Sequence, residues 1–156
     1  MGVFYGMVFA IVLLDQGSKL IVQHQMRLFE SISLIPHWLS FTYILNPGAA
    51  FGLFKYQTTF LIVLTFLVLS AAIIYRKEIP KQSLLFRLAL AVGLGGAIGN
   101  LIDRMRFGAV VDFIELPYWP VFNVADMAIL FGVSLVVIHT IIGEIRSHQI
   151  KRGSAE

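Results

Sequence analysis

Four long apolar stretches dominate the chain, each about twenty residues and separated by mixed or polar segments. Tyr56 to Tyr75 runs without a charge, Gly2 to Val22 carries Asp15 and Lys19, Leu84 to Ile102 contains only Arg87, and Val121 to Gly143 has Asp126 near its start and His139 near its end. A hydrocarbon core of about 30 Å takes roughly 20 helical residues to cross, so the pattern predicts four membrane-spanning helices. Between them, Leu39 to Leu45 (LSFTYIL) and Ala109 to Leu116 (AVVDFIEL) are rich in β-formers with partial alternation and are expected to pair as a small sheet. No repeat, low-complexity tract or linker divides the 156 residues, which read as one integral-membrane domain. The expected fold class is an all-α membrane protein of four transmembrane helices with a small β-rich element outside them.

Lys and Arg set the expected orientation, because cytoplasmic loops retain positive charge. Arg76, Lys77, Lys81 and Arg87 gather around one acid in the second connection, and Arg146, Lys151 and Arg152 lie in the tail. Both regions, and with four spans the amino terminus too, are expected in the cytoplasm. The loops from about Gln23 to Lys55 and from Asp103 to Pro120 then lie on the opposite side. Met1 to Leu14 lacks the basic start and small-residue cleavage site of a secretory signal, so it is expected to remain as the first span.

Composition agrees with a membrane protein: 58% of residues are hydrophobic, 13% are charged, and the mean hydropathy is +0.82. The net charge of +3 does not form a basic stripe interleaved with aromatics, so nucleic acid is not an expected partner. Cysteine is absent, which removes thiol catalysis, disulfides and thiolate metal sites. His24, His37, His139 and His148 are scattered without ligand spacing, and HExxH, GxGD and a serine in a GxS setting at a helix start are all missing.

A charge placed deep in a span costs on the order of 3 kcal/mol, so each one needs a reason. Asp15, Lys19, Asn100, Asp103, Arg104, Asp112, Asn123 and Asp126 all fall toward one membrane face in this topology, as a single site would require. Asp15 and Lys19 are four apart and share a helix face. They read either as a self-neutralising interfacial ion pair with Lys19 snorkelling, or as groups that position substrate or catalytic residues. In GLGGAIGNLIDRMRFG, Gly95 and Gly99 have the spacing of a helix-packing face, while Asp103 and Arg104 project differently and each needs its own partner. For Arg104 that partner is a carboxylate or the substrate. Asn123 is placed to cap the fourth helix, which puts Asp126 in its first turn, where the helix dipole favours negative charge.

Asp126 has a companion in Asp112, a carboxylate within the strand-like run VVDFI. Two carboxylates held close cannot both ionise easily, and such a pair can activate water with one member and donate a proton with the other. The helix start makes Asp126 the expected charged member and Asp112 the protonated one. Two other readings use the same residues differently: a proton or solute pathway lined by the aspartates and Lys19, and a non-catalytic subunit packed through its glycines.

DQGSK (Asp15 to Lys19), NPGAAFG (Asn46 to Gly52), GGAIGNLIDR (Gly95 to Arg104), GAVVDFI (Gly108 to Ile114) and FNVADMA (Phe122 to Ala128) occur in this order. Together they resemble the lipoprotein signal peptidases, or signal peptidase II, over nearly the whole chain. The resemblance implies a four-span aspartyl peptidase of the bacterial inner membrane with a small extracytoplasmic β-rich cradle. It would act on prolipoproteins carrying diacylglycerol on a cysteine, cutting just before that residue. Asp112 and Asp126 match the catalytic positions. Asp15, Lys19, Asn46, Gly48, Gly96, Asn100, Arg104, Asn123 and Ala125 match positions of site architecture or substrate contact. No metal or organic cofactor is implied, the diacylglyceryl chains are expected to meet membrane lipid between helices, and a monomer is expected. Ser18 and Met127 stand where threonine and serine are common in the family.

Overall fold

The structure, a computed structural model, describes residues 1–48 and 54–153. Ala49, Ala50, Phe51 and Gly52 of the NPGAAFG motif lie outside the described residues. Helix α1 spans Gly2–Gln25, α2 Thr58–Ile74, α3 Leu84–Phe107 and α4 Val124–Gly153, while β1 (Ser31–Ile35), β2 (Leu39–Asn46) and β3 (Val110–Glu115) form the sheet. All four helices are long and apolar enough to cross a membrane. Their outward faces carry large apolar side chains such as Phe9, Leu13, Leu67, Ile74 and Phe131. A helix satisfies its own backbone in hydrocarbon, so such a surface is stable against lipid.

Helix α3 is the central strut: 44% of its most apolar window is buried, against 6% for α2. Its glycines account for this, because they let neighbouring backbones approach. Gly95 faces Ile11 and the Val8 carbonyl of α1, whereas Gly96 faces the Ala125 carbonyl of α4. The expected packing face of Gly95 and Gly99 thus lies against α1, at Ile11 and Asp15, and Gly96 adds a second close approach on the side of α4.

Helix ends follow their capping chemistry. Ser83 accepts the Phe86 N–H at the start of α3, and Gly108 closes it in the left-handed conformation with φ of 70°. The chain turns there directly into β3. The sheet is antiparallel in the order β1-β2-β3, pairing Ile44 with Asp112 and Asn46 with Val110. A register irregularity between Phe41 and Ile44 interrupts the β2–β3 ladder, and Phe122 adds a single bridge to Ile114 just before α4. The sheet rests on the end of α1, where Val22, Met26 and Phe113 form a buried cluster backed by Phe41, Tyr43 and Val124.

Candidate active site

Helix α4 begins with a reciprocal cap. The Asn123 Oδ1 accepts the Asp126 N–H at 2.9 Å, and the Asp126 Oδ2 accepts the Asn123 N–H at 3.3 Å. Each side chain thus satisfies a backbone donor that the helix leaves unpaired, with an aspartate in the place usually taken by a longer acid. A third such donor, the Ala125 N–H, is met by Asp15 Oδ1 from α1 at 2.9 Å. The catalytic candidate Asp126 is therefore held by both its own turn and a neighbouring helix.

Asp15 is anchored by charge. Lys19 Nζ lies 2.8 Å from Asp15 Oδ2 and 2.8 Å from Asp103 Oδ2, with the lysine only 2% exposed. Lys19 does not snorkel: two carboxylates and the Asn100 Oδ1 at 3.0 Å take its ammonium, which leaves no reason to reach for the interface. Asp103 also accepts the Val111 N–H at 3.1 Å, tying α3 to β3. Gln16 joins the same cluster, donating to Asp103 Oδ1 at 2.9 Å, to the Gly99 carbonyl and to Asp15. Its only sequence signal was its position between Asp15 and Lys19.

The cluster orients the asparagines. Asn100 spends its oxygen on Lys19 and Asn123, so its amide nitrogen is left to donate to Asp126 Oδ1 at 2.7 Å. Asn123 Nδ2 donates to Asp112 Oδ1 at 2.6 Å and also approaches the Val111 carbonyl. From β2, Asn46 Nδ2 donates to Asp112 Oδ2 at 2.8 Å while its oxygen accepts the Gly48 N–H, forming a turn around Pro47. Arg104 donates to the Gly48 carbonyl at 3.1 Å and no carboxylate bonds it among the described residues, so its tie is to backbone.

Both aspartates open into one cleft of about 620 Å³, whose walls include Asn46, Gly48, Asn100 and Arg104. Its remaining lining is mostly apolar: Leu116, Trp119, Pro120, Val121, Phe122, Met127, Ile129 and Leu130. Asp112 is 1% exposed, and its burial pushes the carboxyl up to about 7, helped by the negative charge of Asp126 and opposed by the donors Asn46 and Asn123 and by Lys19. A carboxyl so placed holds a proton near neutral pH. Gly96 and Ala125 do not line this cleft. They lie behind it, where the glycine admits the Ala125 carbonyl against α3.

Among known proteins, residues 7–142 match the sequence family described as signal peptidase (SPase) II. A lipoprotein signal peptidase of Moorella thermoacetica is 47% identical over 123 residues, which is 79% of this chain and 82% of that one. One from Halothermothrix orenii is 41% identical over 135 residues, covering 86% and 92%. A solved structure described as a bacterial membrane enzyme, obtained by the in meso method at 2.3 Å resolution, superposes with a TM-score of 0.84 at 33% identity, covering 90% of this chain and 88% of that one.

Proposed function

The chain belongs to the signal peptidase II family of aspartic-type membrane peptidases, and from that premise we propose that Asp112 and Asp126 are its catalytic pair. The protein is a multi-pass membrane enzyme that removes signal peptides from prolipoproteins. The observation that carries the site assignment is that two carboxylates from different elements enter one cleft, each held by asparagine donors.

The charged Asp126 takes a proton from water as the water oxygen attacks the scissile carbonyl. Asp112 gives its proton to the carbonyl oxygen, so a neutral tetrahedral diol forms. Asp126 then passes its proton to the amide nitrogen, the C–N bond breaks, and Asp112 recovers a proton from a diol hydroxyl. Asn100 and the Asn123 N–H at the helix start favour charge on Asp126, and that charge adds to burial in keeping the proton on Asp112. Lys19, Asp15 and Asp103 act behind them by fixing the asparagines.

The mostly apolar cleft, open along α4 past Met127 toward Ile129 and Leu130, suits a diacylglyceryl cysteine with its chains in lipid. Both termini are cytoplasmic and the dyad faces the other side of a bacterial inner membrane, as the basic connection at Arg76, Lys77 and Lys81 supports. The absence of native cysteine makes this directly testable by labelling single introduced cysteines from either side.

The deciding experiment is single-turnover cleavage of a diacylglyceryl prolipoprotein by purified wild type, Asp112→Asn and Asp126→Asn, with folding checked by thermal melting. Wild type cuts before the lipidated cysteine and both folded variants lose about 10³-fold or more. Near-normal turnover by either variant refutes the dyad.

A further inference from the structure

A second cavity, of about 380 Å³, lies beside the cleft and shares two wall residues with it, Leu116 and Trp119. Its chemistry is different. Where the cleft runs along α4 past Met127, Ile129 and Leu130, this cavity is bordered by the polar side chains of His37, Ser40 and Glu115. It forms where the turn between β1 and β2 meets the end of β3, with Ser40 paired to Glu115 across the ladder.

The geometry points to this cavity as the subsite for the substrate segment that follows the scissile bond, with a preference for basic side chains there. The inference rests on the dyad reading above. Asp112 and Glu115 are three residues apart on β3, which at about 3.3 Å per residue puts the cavity about 10 Å from the dyad. An extended substrate covers that distance in three residues, so the third and fourth residues after the cut reach it. The direction follows from solubility: the lipid and the signal helix belong on the apolar side of the cut, and the mature chain leaves toward water. Among the described residues Glu115 is the one acid bordering the cavity, and it is held in place by the hydroxyl of Thr42. A partly exposed carboxylate favours a cation over an anion by a modest factor, about three- to fivefold for each member of the pair.

The test uses three lipidated prolipoproteins identical through the cysteine, bearing Lys-Lys, Gln-Gln or Asp-Asp at the third and fourth positions after the cut. For wild type at low salt, kcat/KM falls in that order by about threefold or more overall, through KM, and the spread shrinks at high salt. Glu115→Gln flattens the order, and so does Ser40→Lys, whose added cation lies across the ladder from Glu115 and offsets its charge. Should Glu115→Gln fail to fold, Ser40→Lys carries the test alone. Equal rates in wild type, or an order that survives unchanged in the folded variants, overturns the subsite; if all three substrates are still cut before the cysteine, the dyad reading stands. A wild type that cuts none of them removes both.

Discussion

The Asp15 carboxylate accepts the backbone N–H of Ala125 at 2.9 Å, joining the first helix to the first turn of the last across 110 positions of sequence. Its other oxygen holds Lys19 at 2.8 Å. One side chain therefore serves both a helix end and a buried cation, although it does not line the cleft that contains Asp112 and Asp126.

Replacing Asp15 with alanine strands that amide and leaves Lys19 with one carboxylate instead of two. Removing one member of a buried ion pair costs about 3–5 kcal/mol, so Asp15→Ala is expected to lower the melting temperature in detergent by roughly 10 °C. Asp15→Asn keeps an acceptor for Ala125 and falls between the two. A melting temperature for Asp15→Ala within 2 °C or so of wild type, checked by scanning fluorimetry, would contradict the capping role.

Lys19→Met leaves the carboxylates of Asp15 and Asp103 facing each other without a cation. The loss is expected to be partly reversed by a second change, Asp103→Asn, because neutralising one acid removes their repulsion. A double-mutant cycle on unfolding free energies should give a coupling of about 1–3 kcal/mol. Strict additivity would mean that the three charges do not act as a unit.

Gly99 and Gly93 differ by only six positions on α3 and should differ sharply in tolerance. A methyl group at Gly99 would fall on the Asp15 carboxylate, whereas at Gly93 the nearest atom would be the Gly132 Cα at 3.8 Å, an ordinary contact. Gly93→Ala is expected to leave activity and stability nearly unchanged. Gly99→Ala is expected to lose most activity together with about 1–3 kcal/mol, from forced displacement in a packed core. Cleavage assays and melting on both variants separate the two cases.

The buried Asp112 carries a pH signature. Its carboxyl is raised from 3.8 to about 7, so between those values the folded state holds a proton that the unfolded chain has released. Its contribution to stability is complete below pH 3.8 and declines as pH rises toward 7, by up to about 1.4 kcal/mol per unit. Asp112→Asn removes that slope, so its melting temperature gains on wild type from pH 5 to pH 8. Wild-type turnover falls above about pH 7 as the acid is lost. A melting difference independent of pH would show that Asp112 is already ionised in the fold.

Features set by neighbouring residues could be read along the chain. The four spans follow from their apolar length, and the Asn123–Asp126 cap needs only three residues of separation. The span limits shifted where chemistry beyond hydropathy intervenes: α3 continues past Ile102 to Phe107 because Asp103 finds Lys19 and the Val111 N–H, and α4 starts at Val124 because Phe122 still belongs to the sheet bridge. Strand β1 was not expected although Ser31 to Leu34 alternate polar and apolar; the run is only five residues long and the fold buries neither set. Neither the contact of Asn46 with Asp112 nor the depth of Lys19 is written locally. The first depends on an irregular strand register, and the second on two carboxylates contributed by different helices.

The cap that α1 supplies to α4 also has a temporal side. The chain is made from the amino end, so Asp15 is in place long before the backbone amide it will receive, and Asp112 precedes its companion on α4. Until that final segment threads in and docks, the half-finished polypeptide holds one carboxylate of its pair and an unclaimed acceptor at Asp15. With the proposed pair, hydrolytic competence therefore waits on the docking of α4, the last span to be made.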